Sequence, residues 1–365
     1  VRFLGGALML YHLLYPLADY FGGFNVVRYI TFRTAAATIT ALLVSLVLGP
    51  WVIRRLQQLR VGQPIREIGP DHATKAGTPT MGGLLILLSS LGAALLWSEL
   101  DNRFVWTVLG ITAGYGLLGF IDDYKKVTEG HSAGVSARVK LLWQVALAVG
   151  VGIAIYNDPG FDHELAVPFF KGFTPNIGWL YVPLAAFIIV AASNAVNLTD
   201  GLDGLAIGPV MVASGVFLIL SYAAGHSGIA EYLQIKSVPG AGQLAILCGA
   251  LIGGGLGFLW FNTSPAQVFM GDVGALALGG ALGTIAVLIR QEILLAVVGG
   301  IFVVETLSVI IQVASFKLTG RRVFLMAPIH HHFEKLGWAE QKIVVRFWIV
   351  SIVLGLVALS SLKLR

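Results

Sequence analysis

Apolar residues gather into ten runs of about 17 to 25 positions along the 365-residue chain, each closed off by polar or glycine-rich stretches. The runs lie near 31–53, 79–98, 104–121, 139–156, 179–196, 204–224, 243–261, 273–289, 293–314 and 343–362. A helix rises about 1.5 Å per residue, so runs of this length match a hydrocarbon layer about 30 Å thick. The pattern predicts an all-α, polytopic integral membrane protein with about ten transmembrane helices in a single transmembrane domain spanning residues 1–365. The run at 179–196 ends in Ser193, Asn194 and Asn197, polar groups that need partners at that depth. Residues 1–30 read as an N-terminal interfacial segment, and 315–342 as a long loop before the last run.

Composition agrees with the bilayer as solvent. With 56% hydrophobic and 12% charged residues, there is too little polar surface to coat a water-soluble globule. The single cysteine, Cys248, excludes an internal disulfide and a thiolate metal site. Many of the 45 glycines recur four apart, as in Gly110 with Gly114, Gly253 with Gly257 and Gly279 with Gly283. None follows a strand, so they predict close helix packing rather than a dinucleotide loop. No nucleic-acid partner is expected.

Charge orients the spans. The loops after odd-numbered runs hold fourteen basic residues, from Arg54 and Arg55 through Lys125, Lys126, Arg138 and Lys140 to Lys335 and Lys342. The opposite loops hold four, namely Arg103, Lys171, Lys236 and Arg290. The positive-inside rule puts the basic face in the cytoplasm and both termini in the periplasm.

Acidic residues collect on that same basic face. Asp122 and Asp123 follow the third run, Asp200 and Asp203 follow the fifth, and Asp272 precedes the eighth. Neighbouring residues on a helix diverge by about 100°, so Asp122 and Asp123 are expected to face one atom together only if the helix ends there. The stretch Asn194 to Ala206 contains no cation, and Gly201 and Gly204 offer a bend that would let its amides and carboxylates converge. Such a group suits a hard cation, a sugar or a base. Asp272 has the position of a helix N-cap, where a nearby anion is also favoured. His330, His331 and His332 are consecutive, which rarely places three imidazoles on one zinc ion; phosphate contact or proton transfer fits them better. Lys75, ahead of the glycine-rich entry through Thr80 to the second run, can hold an anion. A transporter is the alternative class, supported by Glu305 near the centre of the ninth run with Gln312 on the same face.

Together, Lys75-Ala-Gly-Thr-Pro-Thr-Met-Gly-Gly83, the Asp122-Asp123 pair, Asn194 to Ala206, Phe269-Met-Gly-Asp272 and Pro328-Ile-His-His-His-Phe-Glu334 resemble the polyprenyl-phosphate N-acetylhexosamine-1-phosphate transferases. The histidine element with Lys335-Leu-Gly-Trp338 is similar to the branch acting on UDP-MurNAc-pentapeptide; a sister branch uses UDP-GlcNAc. The resemblance implies a Mg²⁺-dependent enzyme of the bacterial inner membrane, often a homodimer, with its active site facing the cytoplasm. It would transfer phospho-MurNAc-pentapeptide to undecaprenyl phosphate, giving lipid I and UMP.

Carried over by motif, the resemblance makes Asp272 the metal ligand, with Asp122 a base or nucleophile and Asp123 beside it. His330 and His331 are its further catalytic candidates. Lys75 and Lys140 would meet phosphates, and Asn262, Phe269, Gly201 and Leu202 would lie near the uridine. Thr80, Asn197, Asp200, Asp203, His332 and, less directly, Gln312 would complete the substrate site. The chain departs from many members at Ala133, where they carry Lys, and at Ala275, where they carry Ser.

Overall fold

The computed structural model describes residues 10–58, 77–129, 134–170 and 172–362. Each of the ten apolar runs contains a helix. We label them α1 (Ile30–Gln58), α2 (Gly83–Trp97), α3 (Arg103–Glu129), α4 (Ala137–Tyr156), α5 (Tyr181–Thr199), α6 (Ile207–Ala224), α7 (Leu244–Asn262), α8 (Gly271–Leu288), α9 (Gly300–Thr319) and α10 (Glu340–Ser360). Among the described residues, nine of these are long and apolar enough to cross a membrane. The shorter one is α2, because Pro79 to Gly82 lie outside the helix, with Met81 at a φ of 71°. Phe269 N donates to Pro79 O, Gly82 N to Phe269 O and Gly83 N to Met270 O, each at 2.8 Å. That pairing draws the entry of α2 alongside the entry of α8.

Three boundaries differ from the expected ones for physical reasons. The third helix continues eight residues past its apolar run, to Glu129. Lys126 pairs with Asp122 and Lys125 with Glu129 at helical spacing, so the charged turns support themselves. The ninth run is interrupted at Gly299, leaving a short helix Leu294–Val298 ahead of α9. Helix α9 then runs to Thr319, into the segment expected as loop, and Gly320 ends it at a φ of 70°. The remaining loop contains a short helix, Ile329–Lys335, that carries the histidines.

Helix α8 is the hub. It packs on α3 and α5, with α2 along its first turns, and nearly all its residues are buried. Gly279 and Gly283 press on the backbone of α5, where an added Cβ would stand 2.4 Å from Ala192 O and 2.9 Å from the Ile189 Cα. Gly253 and Gly257 likewise face Thr38 and Ser45 of α1. These two pairs pack as their spacing predicts. In the third pair, Gly114 faces the Leu147 side chain and Gly110 meets nothing within 4 Å.

The chain before α1, described from Leu10, lies against the C-terminal end of α2, where Leu100 N donates to His12 Nε2 at 3.4 Å. On the face away from the acids, Arg290 pairs with Asp162, donates to Glu164 O at 3.1 Å, and lies 3.8 Å over the Phe161 ring. Nearby, Glu292 is 4% exposed and accepts from the Tyr181 hydroxyl.

Candidate active site

The ends of α3, α4, α5 and α8 converge on one face of the bundle, and close backbone contact makes this possible. Gly119 of α3 lies so near the first turn of α8 that a Cβ there would stand 2.3 Å from Asp272 O. Gly271 opens α8 at a φ of 72°, a conformation glycine adopts without strain. Asp272 is thereby laid against the last turns of α3.

Oxygen atoms of Asp122, Asp123 and Asp272 all lie within 4.8 Å of one another. The expectation that Asp122 and Asp123 could share a target only at a helix end is thus corrected, since α3 continues through both. Lys126 gives the reason. It is i+4 from Asp122 and i+3 from Asp123, between their two directions, and its Nζ lies 2.6 and 3.6 Å from them and 3.2 Å from Asp272. Sequence reading placed Lys126 only among the basic residues of that face. Its contact with Asp272 depends on the approach of α8, which no local spacing reveals.

Lys140, from the first turn of α4, reaches the same pair of acids at 2.7 Å from Asp122 and 2.8 Å from Asp272. Asn197 donates to the other Asp272 oxygen at 2.9 Å. Val135 N closes over Asp122 Oδ1 at 2.7 Å. Asp122 and Asp123 are buried, while the side chain of Asp272 is 16% exposed and is the one of the three that faces outward. Three carboxylates against two ammoniums leave one formal negative charge among hard oxygen donors. That donor set fits a hard dication such as Mg²⁺. Thr80 Oγ1, buried and without a hydrogen-bond partner, lies against the Gly271 end of α8 and gives a further oxygen beside the cluster.

The turn between α5 and α6 forms the next wall. Asp200 ends α5 beside the Gly271 amide. Burial first, then Asp272 and Asp123, push its carboxyl up to about 7, although the Gly271 N–H favours the charged form. Asp203 accepts from Ala266 N at 3.1 Å, and its own N–H donates to Glu340 at the start of α10 at 2.8 Å. Asn262 accepts from Gly204 N and donates to Val268 O, both at 2.8 Å, fixing the segment that carries Phe269. Gly204 takes a φ of 77°, which makes the expected bend. Asn194 does not join the group, because its amide donates to Gln144 of α4 and to Val190 O. Leu202 is buried with Leu205, Ile301, Ile343, Val344 and Phe347 in a second hydrophobic cluster.

The three histidines face three different partners. His330 Nδ1 lies 3.1 Å from Glu305, His331 Nδ1 lies 2.6 Å from Glu334, and His332 Nδ1 accepts from Leu325 N at 3.1 Å. Glu305, the acid that pointed to transport, is closed off by His330 and fully buried. Gln312 accepts from Val323 N and Phe324 N and donates to Phe324 O, each at 3.0 Å, so its amide clamps the loop after α9. Lys75 and Ala133 lie outside the described residues.

Comparisons with known proteins bear on the same residues. A model of glycosyl transferase family 4 matches residues 105–290, and a phospho-N-acetylmuramoyl-pentapeptide-transferase signature matches 75–87. Proteins named phospho-N-acetylmuramoyl-pentapeptide-transferase from Geobacter sp. (strain M21) and Pelobacter propionicus are each 60% identical over 98% of this chain and 100% of their own length. One of the same name from Syntrophus aciditrophicus is 58% identical with the same coverage.

Proposed function

Because the chain belongs to the phospho-N-acetylmuramoyl-pentapeptide-transferase family, we propose that it transfers phospho-MurNAc-pentapeptide from its UDP carrier to a polyprenyl phosphate, yielding lipid I and UMP. Undecaprenyl phosphate is the acceptor in this reading, and the basic face of the bundle is the cytoplasmic face of a bacterial inner membrane. The observation that carries the mechanism is the clustering of Asp122, Asp123 and Asp272 with Lys126 and Lys140 at that face.

Both substrates are anionic, and their approach requires cationic groups that offset repulsion. Lys126 and Lys140 supply two. Mg²⁺, held by Asp272 with Asp123 beside it, would supply further positive charge where the diphosphate is cleaved. An oxygen of the lipid phosphate attacks the sugar-linked phosphorus in line. The new P–O bond forms as the bond to UMP breaks, and UMP departs with the electron pair. With its second pKa at about 6, the lipid phosphate is mostly a dianion at pH 7 and has little need of a general base. The surroundings of Asp122 favour this single step over an aspartyl-phosphate. One of its oxygens accepts from Val135 N and the other lies between two ammoniums, so neither is open for attack on phosphorus. Asp122 then holds the lysines in place, and the more exposed Asp272 faces the substrates.

Purified protein in detergent, given undecaprenyl phosphate, UDP-MurNAc-pentapeptide and Mg²⁺, releases UMP on this reading and releases none when UDP-GlcNAc replaces the donor. UMP from UDP-GlcNAc alone would assign the sister activity instead. A homodimer is the proposed assembly in the bilayer.

A further inference from the structure

Outside the aspartate cluster, Glu305 and His330 form an enclosed ionisable pair, 0% and 1% exposed. Helix α9 is buried only at Ile301, Phe302, Glu305 and Ser308, so Glu305 stands where α9 parts from the bundle. A carboxylate at that depth requires a partner, and the imidazole Nδ1, 3.1 Å away but outside hydrogen-bond alignment, is the polar group that faces it. The opposite edge of the ring meets the turn after α5. A Cβ added at Gly201 would stand 2.3 Å from His330 Nε2. One imidazole therefore links α9, the short histidine helix and the turn that bears Asp200 and Asp203. With Nδ1 toward a carboxylate and Nε2 against Gly201, the buried ring has no nitrogen directed at the open site.

Resting on the transfer reading above, we infer that Glu305 is a positioning residue for the reaction: it holds His330 against Gly201 and so keeps Asp200 and Asp203 in place beside the entry of α8. Other contacts of this turn come from α10, Asn262 and the entry of α8: Asp203 N donates to Glu340, Gly204 N to Asn262, Trp348 to Gly204 O, Ala266 N to Asp203 and the Gly271 N–H to Asp200. Glu305 adds an anchor from α9. A glutamine at 305 keeps a polar atom for Nδ1, whereas an alanine leaves the imidazole unsupported.

The test uses the full chain in detergent and two readouts. Hydrogen–deuterium exchange without substrate follows residues 198–206, and UMP release follows turnover. Glu305→Ala is expected to speed exchange in 198–206 by about 10-fold, leaving α7 unchanged. It is expected to lower kcat/KM by about 10- to 100-fold, with Glu305→Gln recovering most of both effects. The Glu305→Ala/His330→Ala double variant is expected to be no worse than His330→Ala alone, because the two residues act as one unit. If Glu305→Ala does not fold, Gly201→Ala crowds the ring from the other side and is expected to speed the same exchange. Unchanged exchange in 198–206, or single-variant losses that multiply in the double variant, would overturn the inference. Wild-type protein that releases no UMP would defeat the transfer reading, while the exchange result judges the Glu305 anchor separately.

Discussion

Replacing Gly119 by alanine tests the site where two helices come nearest. The new Cβ would stand 2.3 Å from the Asp272 carbonyl oxygen and 2.4 Å from its carbonyl carbon, whereas carbon and oxygen at rest keep about 3.4 Å apart. Both neighbours are backbone atoms, which cannot rotate aside, so α3 and α8 must separate by about 1 Å. Asp272 would be drawn away from Lys140 at 2.8 Å and Lys126 at 3.2 Å, contacts that such a shift weakens severely. A misplacement of about 1 Å can lower turnover by about 100-fold, and overpacking of this kind costs about 1–3 kcal/mol of stability. The assay is UMP release at saturating substrates and Mg²⁺, with a thermal melt on the same samples. Gly110→Ala is the control. It lies on the same helix, meets nothing within 4 Å, and should leave turnover unchanged while raising stability by about 0.5–1 kcal/mol. A Gly119→Ala enzyme with wild-type turnover, or a Gly110→Ala enzyme equally impaired, would refute the reasoning.

Three further outcomes follow from the same geometry. Chelation should abolish UMP release and added Mg²⁺ restore it; Mg²⁺ at about 100 times its Kd should stabilise the wild type by about 2.7 kcal/mol in a thermal melt and leave Asp272→Asn unmoved. Burial pushes the Glu292 carboxyl from an ordinary 4.5 up to about 7, so the fold favours its protonated form. That contribution is complete below about pH 4.5 and is lost as pH rises through 7, worth about 3 kcal/mol, and Glu292→Gln should flatten the melting profile across this window. Gln312→Ala removes three hydrogen bonds to residues 323–324 and should cost about 1–3 kcal/mol, with faster exchange in that loop and a smaller loss of turnover than Asp272→Asn.

The helices were legible because a membrane imposes length and apolarity on every span, and each of the ten runs contains one. What escaped were features decided between segments. Pro79 to Gly82 look like the start of a span, yet their backbone pairs with Phe269 and Met270 and stays outside the helix. The turns after Ile121 carry no apolar signal, yet ion pairs at helical spacing continue α3 through them. The grouping of Asp122, Asp123 and Asp272 could be anticipated from their shared face. The place of Lys126 among them could not, because it follows from the glycine contact that brings α8 against α3. Gln312 and Glu305 were visible as polar residues in an apolar run, but their partners lie in the loop beyond α9.

Enclosure of α8 on nearly every side divides labour within the molecule. The carboxylate proposed to face the substrates is mounted on the element with least freedom to shift, so reactants would be delivered to a stationary anvil. Whatever flexes during a catalytic cycle belongs to the periphery, where no residue of α9 beyond Ser308 is buried.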